Sequence, residues 1–224
     1  MTFSIVARCP TTGLFGVAVC SSSPAVAARC AFARAGVGAA TSQNITDPAL
    51  GERLLDLMAE GRGARNALAM LTRAEPNIDF RQMIAVDTRG EAAVFSGART
   101  LGVNATAAAQ DVAAAGNLLA NNGVPAAMVA AFQAGTGVFG ERLLSAMKAA
   151  MDAGGEAGPV HSAGLKIVDK LSWPLVDVRV DWAEEGVIDQ LHALWDIYAP
   201  QADAYVTRAL NPSGAPGFAV PGDP

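Results

Sequence analysis

Apolar and polar positions begin to sort into elements at the second residue. Residues 2–9 and 14–20 are rich in Val, Ile and Phe, and Pro10, Thr11, Thr12 and Gly13 between them carry turn chemistry. That pattern predicts a β-hairpin. A four-residue loop over 10–13 sets Cys9 against Leu14, and the ladder returns to place Thr2 opposite Ser21, with Cys20 and Ser22 beside it. Residues 33–45, ARAGVGAATSQNI, read as a third strand ending in the polar cluster Thr41, Ser42, Gln43 and Asn44. Asp47 followed by Pro48 supplies an N-cap and a first helical position for a helix that puts Leu50, Leu54, Leu57 and Met58 on one face before Gly61 ends it. A second helix follows in GARNALAMLTRAE, and RQMIAVDTRGEAAVFSG then reads as a hairpin about Thr88, Arg89 and Gly90.

Further along, ATAAAQDVAAAGNLLANNG favours helix by its alanine content, but its place after two strands and the Gly116-Asn117 punctuation point to a strand ending near Asn117. PAAMVAAFQAG and FGERLLSAMKAAMDAGG form a second helical pair. SAGLKIVDK and PLVDVRVDW are closing strands, the latter alternating Val176, Val178 and Val180 against Asp177, Arg179 and Asp181. A last helix, residues 187–210, is interrupted near Pro200, and residues 211–224 form a flexible Pro/Gly-rich tail outside the domain of residues 1–210. GERLLDLM at 51–58 echoes GERLLSAM at 140–147, as two amphipathic helices built from common helix formers would. The order sheet, helix pair, sheet, helix pair, sheet suits an α+β sandwich in which helices cover the outer faces of two stacked sheets.

Composition narrows the function. Hydrophobic residues make up 51% of the 224, yet Gly, Arg, Asp and Ser interrupt every apolar run short of a membrane span. The net charge of −5, with basic residues scattered, lacks the footprint of a nucleic-acid binder. Neither a basic n-region nor a continuous apolar h-region opens the chain, so a cytoplasmic location is expected. Cys9, Cys20 and Cys30 form no C-x-x-C pair, and with only His161 and His192 besides, neither a metal centre nor a cofactor is expected. Cys20 reads as a buried structural residue, with no histidine close in sequence to activate it. The apolar helices and the C-terminal region bearing Trp173, Trp182 and Trp195 are compatible with a homodimer, His192 having a core or interface place and His161 facing a pocket.

Chemistry concentrates at Thr2. A threonine hydroxyl is a weak nucleophile until a base takes its proton, and an N-terminal threonine brings its own α-amine for that task. Such an amine titrates near 7.7–8.0 in model peptides, about where a base is useful at neutral pH. Removal of Met1 is the precondition. The competing reading makes Thr2 simply the first residue of a buried hairpin.

The opening TFSIVARCPTTGLFGVAVCSSS, the segment ARAGVGAATSQN, the element AAGNLL and the closing WPLVDVRVDW together resemble a bacterial and archaeal family, domain of unknown function 1028, over nearly the whole chain to about Leu210. That family is similar to the N-terminal nucleophile hydrolases, whose fold is a four-layer αββα sandwich. The resemblance implies amide-bond hydrolysis with Thr2 as the nucleophile, Ser22 and its serine neighbours occupying the place where proteasome-like members hold a polar or acidic group; it implies no particular substrate, and the expectation adopted is a non-peptide amide of a small molecule. No carboxylate stands there, a departure from the proteasome arrangement. Gly116 and Asn117 are candidates to meet a developing oxyanion, or else a plain turn. Gln43 and Asn44 are candidate substrate contacts or turn formers. Asp177, Arg179 and Asp181 share a strand face, where Arg179 either anchors a substrate carboxylate or belongs to a charged ladder. A catalytically inactive protein of the same fold, binding a metabolite or partner, is the alternative.

Overall fold

The first hairpin sets the layers. In the computed structural model, which describes residues 1–218 and 220, β1 (Thr2–Arg8) pairs antiparallel with β2 (Phe15–Ser21), from Phe3 opposite Cys20 to Arg8 opposite Phe15. Cys9 donates its N–H to the Leu14 carbonyl at 2.8 Å, closing the four-residue loop that the turn residues predict. Both strands are buried on both faces, because side chains alternate between two different cores. Phe3, Ile5 and Ala7 turn toward helices, while Val6, with Val17 and Val19 from β2, turns toward a second sheet.

The larger sheet has six strands in the order β10 (Val176–Val180), β9 (Ser162–Val168), β2, β1, β8 (Val112–Asn117), β7 (Ala105–Ala109). The smaller orders β3 (Ala31–Arg34), β4 (Gly38–Asn44), β5 (Arg81–Asp87) and β6 (Ala92–Ser96). Every pairing is antiparallel. A short α1 (Val26–Cys30) links β2 to β3. On the outer face of the smaller sheet lie α2 (Pro48–Ala59) and α3 (Ala64–Ala74), whose Leu50, Leu54, Leu68 and Leu71 join Met83 and Ala85 in one core. Against the larger sheet lie α4 (Val124–Ala134), α5 (Phe139–Asp152) and α6 (Val187–Tyr198), whose Met128, Phe132, Leu143 and Leu191 pack with Phe3 and Ile5. The chain is therefore a four-layer αββα sandwich, as its order of elements and its family resemblance both imply.

Local chemistry accounts for the boundaries. Asp47 accepts the Ala49 N–H at 3.0 Å and Pro48 opens α2, as the sequence predicts. After α6 one turn of 3-10 helix, Ala199–Gln201, carries Pro200 into α7 (Ala202–Leu210). Two expected single strands are hairpins instead. Residues 33–45 split because Val37 folds back onto Arg34 and Gly36 takes φ 69°, while at Gly38 a β-carbon would lie 2.4 Å from the Val86 carbonyl oxygen. Residues 105–117 split at Gln110 and Asp111, where Asp111 takes φ 66° and its carboxylate holds Arg8 at 2.9 Å. An all-alanine register offers no periodic signal for such a turn. The five residues of α1 are likewise too few to show a helical period. Of the expected tail over 211–224, Phe218 lies under the Arg208 guanidinium at 3.7 Å, and residues 219 and 221–224 lie outside the described residues.

The GERLL echo has a structural counterpart. Gly51 in α2 lies against the Phe32 ring and Gly140 in α5 against the Trp195 indole, where an added β-carbon would come within 2.1 Å and 2.3 Å of ring atoms. Gly140→Ala gains about 1 kcal/mol of helix propensity but must displace a packed indole, a strain of roughly 1–3 kcal/mol. We expect a net loss of about 1 kcal/mol, read as a lower urea midpoint with an unchanged slope.

Candidate functional site

The space between the sheets changes character along its length. At one end Val6, Val17, Val19, Ile84 and Val86 make it apolar. At the other, Thr2, Ser4 and Ser21 meet Thr41, Gln43, Gln82 and Asn117, all of them buried. Buried polar groups must be paired or cost several kcal/mol, and most of these are. Ser4 Oγ donates to Gln43 Oε1 at 2.6 Å, and Gln43 Nε2 donates to Gln82 Oε1 at 2.8 Å. Asn117 Nδ2 donates to the same oxygen at 3.2 Å. Gln82 Nε2 in turn donates to the Gly116 carbonyl at 3.0 Å and to Ser96 Oγ at 2.9 Å. Gln82 thus fills both donor and acceptor positions and ties β1, β4, β5 and β8 together.

Thr2 stands at the edge of that network. It pairs with Asn117 across β8, is 5% exposed, and holds Oγ1 3.3 Å from Ser21 Oγ. Both hydroxyls donate to the carbonyl oxygen of Met1. Ser21 Oγ also accepts the Ser23 N–H at 3.1 Å and lies 2.8 Å from Ser23 Oγ. A row of hydroxyls therefore runs from Thr2 through Ser21 to Ser23, with two of them converging on one carbonyl oxygen.

A strap closes this end. Beyond α5 the chain crosses the strand ends: Ala120 N–H meets the Gly155 carbonyl at 3.1 Å, Ala157 N–H meets Leu118 at 2.9 Å, and His161 N–H meets Ser21 at 2.9 Å. Gly158 on the strap touches Met1, whose Cε would lie 3.0 Å from an added β-carbon. Glu156, bridged to Leu119, turns inward and is 5% exposed, with neither carboxylate oxygen in a formed hydrogen bond. Burial pushes its pKa up to about 7, against the opposing charge of the Met1 amino group and the nearby Ser22 N–H and hydroxyl. The same burial, reinforced by the Glu156 charge, lifts the Cys20 thiol well above its ordinary value. A buried carboxylate does stand beside the N-terminus, then, but it comes from the strap and not from the second strand.

The other candidate residues scatter. Ser21, not Ser22, faces Thr2, because alternation turns Ser22 the other way, toward Glu156. The Asn117 amide is turned to Gln82, and Gln43 is spent within the network. Asn44, at φ 77°, clamps a turn: its Nδ2 donates to the Phe80 carbonyl at 2.7 Å and its Oδ1 accepts the Leu101 N–H at 3.1 Å. Arg179 closes both nitrogens on Asp177 at 2.7 Å and 2.8 Å, with Lys166 3.5 Å from the same carboxylate. Asp177 and Arg179 lie on the edge strand β10 and Asp181 just past its end, three strands or about 14 Å from β1, and they do not join Thr2. His161 stacks on Trp182 at 4.4 Å, and His192 is exposed and paired with Glu141. Among the described residues one group of potential metal ligands comes together, Glu141, His192 and Asp196 on the outer helices, away from this site. No helix of the described residues is long and apolar enough to cross a membrane. Ser4, Gln82 and Glu156 are the site residues that sequence reading missed. Ser4 and Gln82 were visible as polar positions in otherwise apolar strands, while Glu156 in its Gly-rich loop carried no signal.

Solved structures similar to this chain include the following two. Protein SPO2555 from Silicibacter pomeroyi, a crystal structure assigned to the DUF1028 family, is 30% identical and superposes with a TM-score of 0.83 over 88% of this chain and 86% of its own. Anbu (ancestral beta-subunit) from Yersinia bercovieri is 9% identical with a TM-score of 0.37 over 91% of this chain and 97% of its own, a likeness too remote to carry an argument about this chain. No curated protein matches it. Residues 2–191 match the model of a family of unknown function, and the chain belongs to that family, DUF1028.

Proposed function

We propose that this protein is an amidohydrolase of the N-terminal-nucleophile kind, acting on a small-molecule amide once Met1 has been removed. The observation that carries the reading is the convergence of the Thr2 and Ser21 hydroxyls on the carbonyl oxygen of Met1. A substrate carbonyl brought beside these hydroxyls, with its carbon turned to Thr2 Oγ1, would have a nucleophile for the carbon and Ser21 as a donor for the oxygen. The freed Thr2 amine takes the proton from Oγ1 as that oxygen attacks the carbonyl carbon. Ser21 then donates to the oxygen on which charge develops. The amine leaves with the proton, giving an acyl ester on Thr2, and water hydrolyses that ester while the Thr2 amine again shuttles the proton. Gln82 and Asn117 hold β1 and β8 in place and touch no reacting atom. The strap over the strand ends favours a compact substrate over an extended polypeptide.

With Met1 removed, verified by intact mass, a panel of small amides is expected to include one whose turnover falls at least about 10³-fold in Thr2→Ala and is partly kept in Thr2→Ser. Equal turnover by Thr2→Ala removes Thr2 from the mechanism, and complete retention of Met1 in the native host favours a protein of this fold that only binds.

Ser21→Ala removes one donor and is expected to lower kcat by about 10²-fold with KM little changed. A drop confined to KM would assign Ser21 to ground-state binding instead.

Glu156 gives a pH signature in the form that keeps Met1. Its carboxyl is pushed from 4.5 to about 7 in the folded chain, so its contribution to stability is fully present below about pH 4.5 and lost as pH rises through about 7. The groups facing it are the Met1 amine, Ser22 and the Cys20 thiol, which stays neutral in that window. Glu156→Gln is therefore expected to gain stability relative to wild type between pH 5 and 8, approaching about 3 kcal/mol, and to show no advantage at pH 4. Parallel urea midpoints across that range would remove the buried charge from the account.

A further inference from the structure

Met1 is an aminoacyl group on the Thr2 nitrogen, its carbonyl oxygen beside the Oγ1 that would carry the ester, and three of its parts meet three different features of the site. Its carbonyl oxygen accepts from Thr2 and Ser21. Its unbranched thioether lies against Gly158, where the missing side chain makes room: a β-carbon there would stand 3.0 Å from Met1 Cε and 3.5 Å from Sδ. Its amino group lies within the electrostatic reach of Glu156, which is 5% exposed and has the Ser22 N–H and hydroxyl near it but neither oxygen in a well-formed hydrogen bond. An orphaned carboxylate in that setting is costly, and a cation brought beside it offsets the cost. No cation, the Met1 amino group included, lies within 4.0 Å of Glu156 among the described residues, so its place for a charged partner is unfilled.

From this we infer that the substrates are amides of α-amino acids with a free α-amino group and an unbranched apolar side chain, the ammonium being recognised by Glu156 and the side chain by the space beside Gly158. The inference rests on the reading of Thr2 as nucleophile and adds the acyl group that it takes. Thr2 Oγ1 forms an ester to the aminoacyl carbon as the C–N bond breaks, and its proton leaves with the amine. Water then supplies hydroxyl to the acyl carbon and a proton to Oγ1, releasing the amino acid. Nothing is oxidised or reduced. Glu156 acts as a binding residue for the acyl group's charge.

Binding separates this inference from turnover. Met1-free Thr2→Ala protein, its mass verified, is titrated calorimetrically at pH 7.5 with L-methioninamide and with 4-(methylsulfanyl)butanamide, which lacks only the amine. The amino amide is expected to bind at least tenfold tighter, Glu156→Gln in the same background to bring the two within twofold, and Gly158→Val to weaken both. Equal affinities, no binding of either compound, or an advantage that survives Glu156→Gln overturns the inference. Thr2-dependent hydrolysis of amides without preference for a free amine would sink this inference alone and leave the nucleophile reading standing.

Discussion

The requirement that every buried polar group find a partner organises this molecule around β1. That strand is buried on both faces, so its alternation sends Phe3, Ile5 and Ala7 into one core and Val6, Ser4 and Thr2 into another. Two polar side chains entering the space between sheets cost several kcal/mol unless the facing sheet answers them. It does so through Gln43 and Gln82, and Gln82 closes the circuit onto β8 through Gly116 and Asn117. Because strand side chains have a period of two, a slip of one residue would turn Ser4 toward the helices and Phe3 toward the glutamines. The network thereby fixes the register that puts Thr2 beside Ser21.

Satisfaction is uneven, and the unevenness separates scaffold from chemistry. Gln82 has no hydrogen-bonding capacity to spare, which is the state of a group that holds sheets together. Thr2 and Ser21 spend theirs on the carbonyl of Met1. Glu156 spends none in formed bonds and is held at a pKa of about 7 by burial. Groups in that condition are candidates for binding or exchange, whereas a fully paired buried network rigidifies a core.

Much of the frame was legible in the sequence because it rests on local signals. Asp47 before Pro48 marked α2, the turn residues at 10–13 marked the first hairpin, and loop length alone carried the register to Thr2 opposite Ser21. The edge-strand charges illustrate the limit of the same method. Alternation correctly put Asp177 and Arg179 on one face, but no local pattern says that β10 lies three strands from β1, where the Arg179 fork is closed by its neighbour. Ser22 was favoured over Ser21 as a catalytic candidate although the ladder itself pointed to Ser21. The alanine-rich hairpin of β7 and β8 escaped because alanine neither alternates in polarity nor declares a turn.

Glu156 escaped for a deeper reason. An acid in a run of Gly and Ala between a helix and a strand has the composition of a solvated loop, and only the long-range pairing of that loop with Leu118, Leu119 and Ser21 carries it over the N-terminus. No carboxylate stands at Cys20, Ser21, Ser22 or Ser23, at the end of the second strand. In three dimensions the strap brings a carboxylate close to the same terminus from another direction, with a different consequence. A group on the second strand would be fixed by the ladder, whereas one on a strap can have its surroundings changed by what enters beneath it. On the proposed reading, removal of Met1 exchanges one amine for another and opens the volume next to Gly158, so the charge on Glu156 and the occupancy of the proposed acyl site would be linked by the same few ångströms.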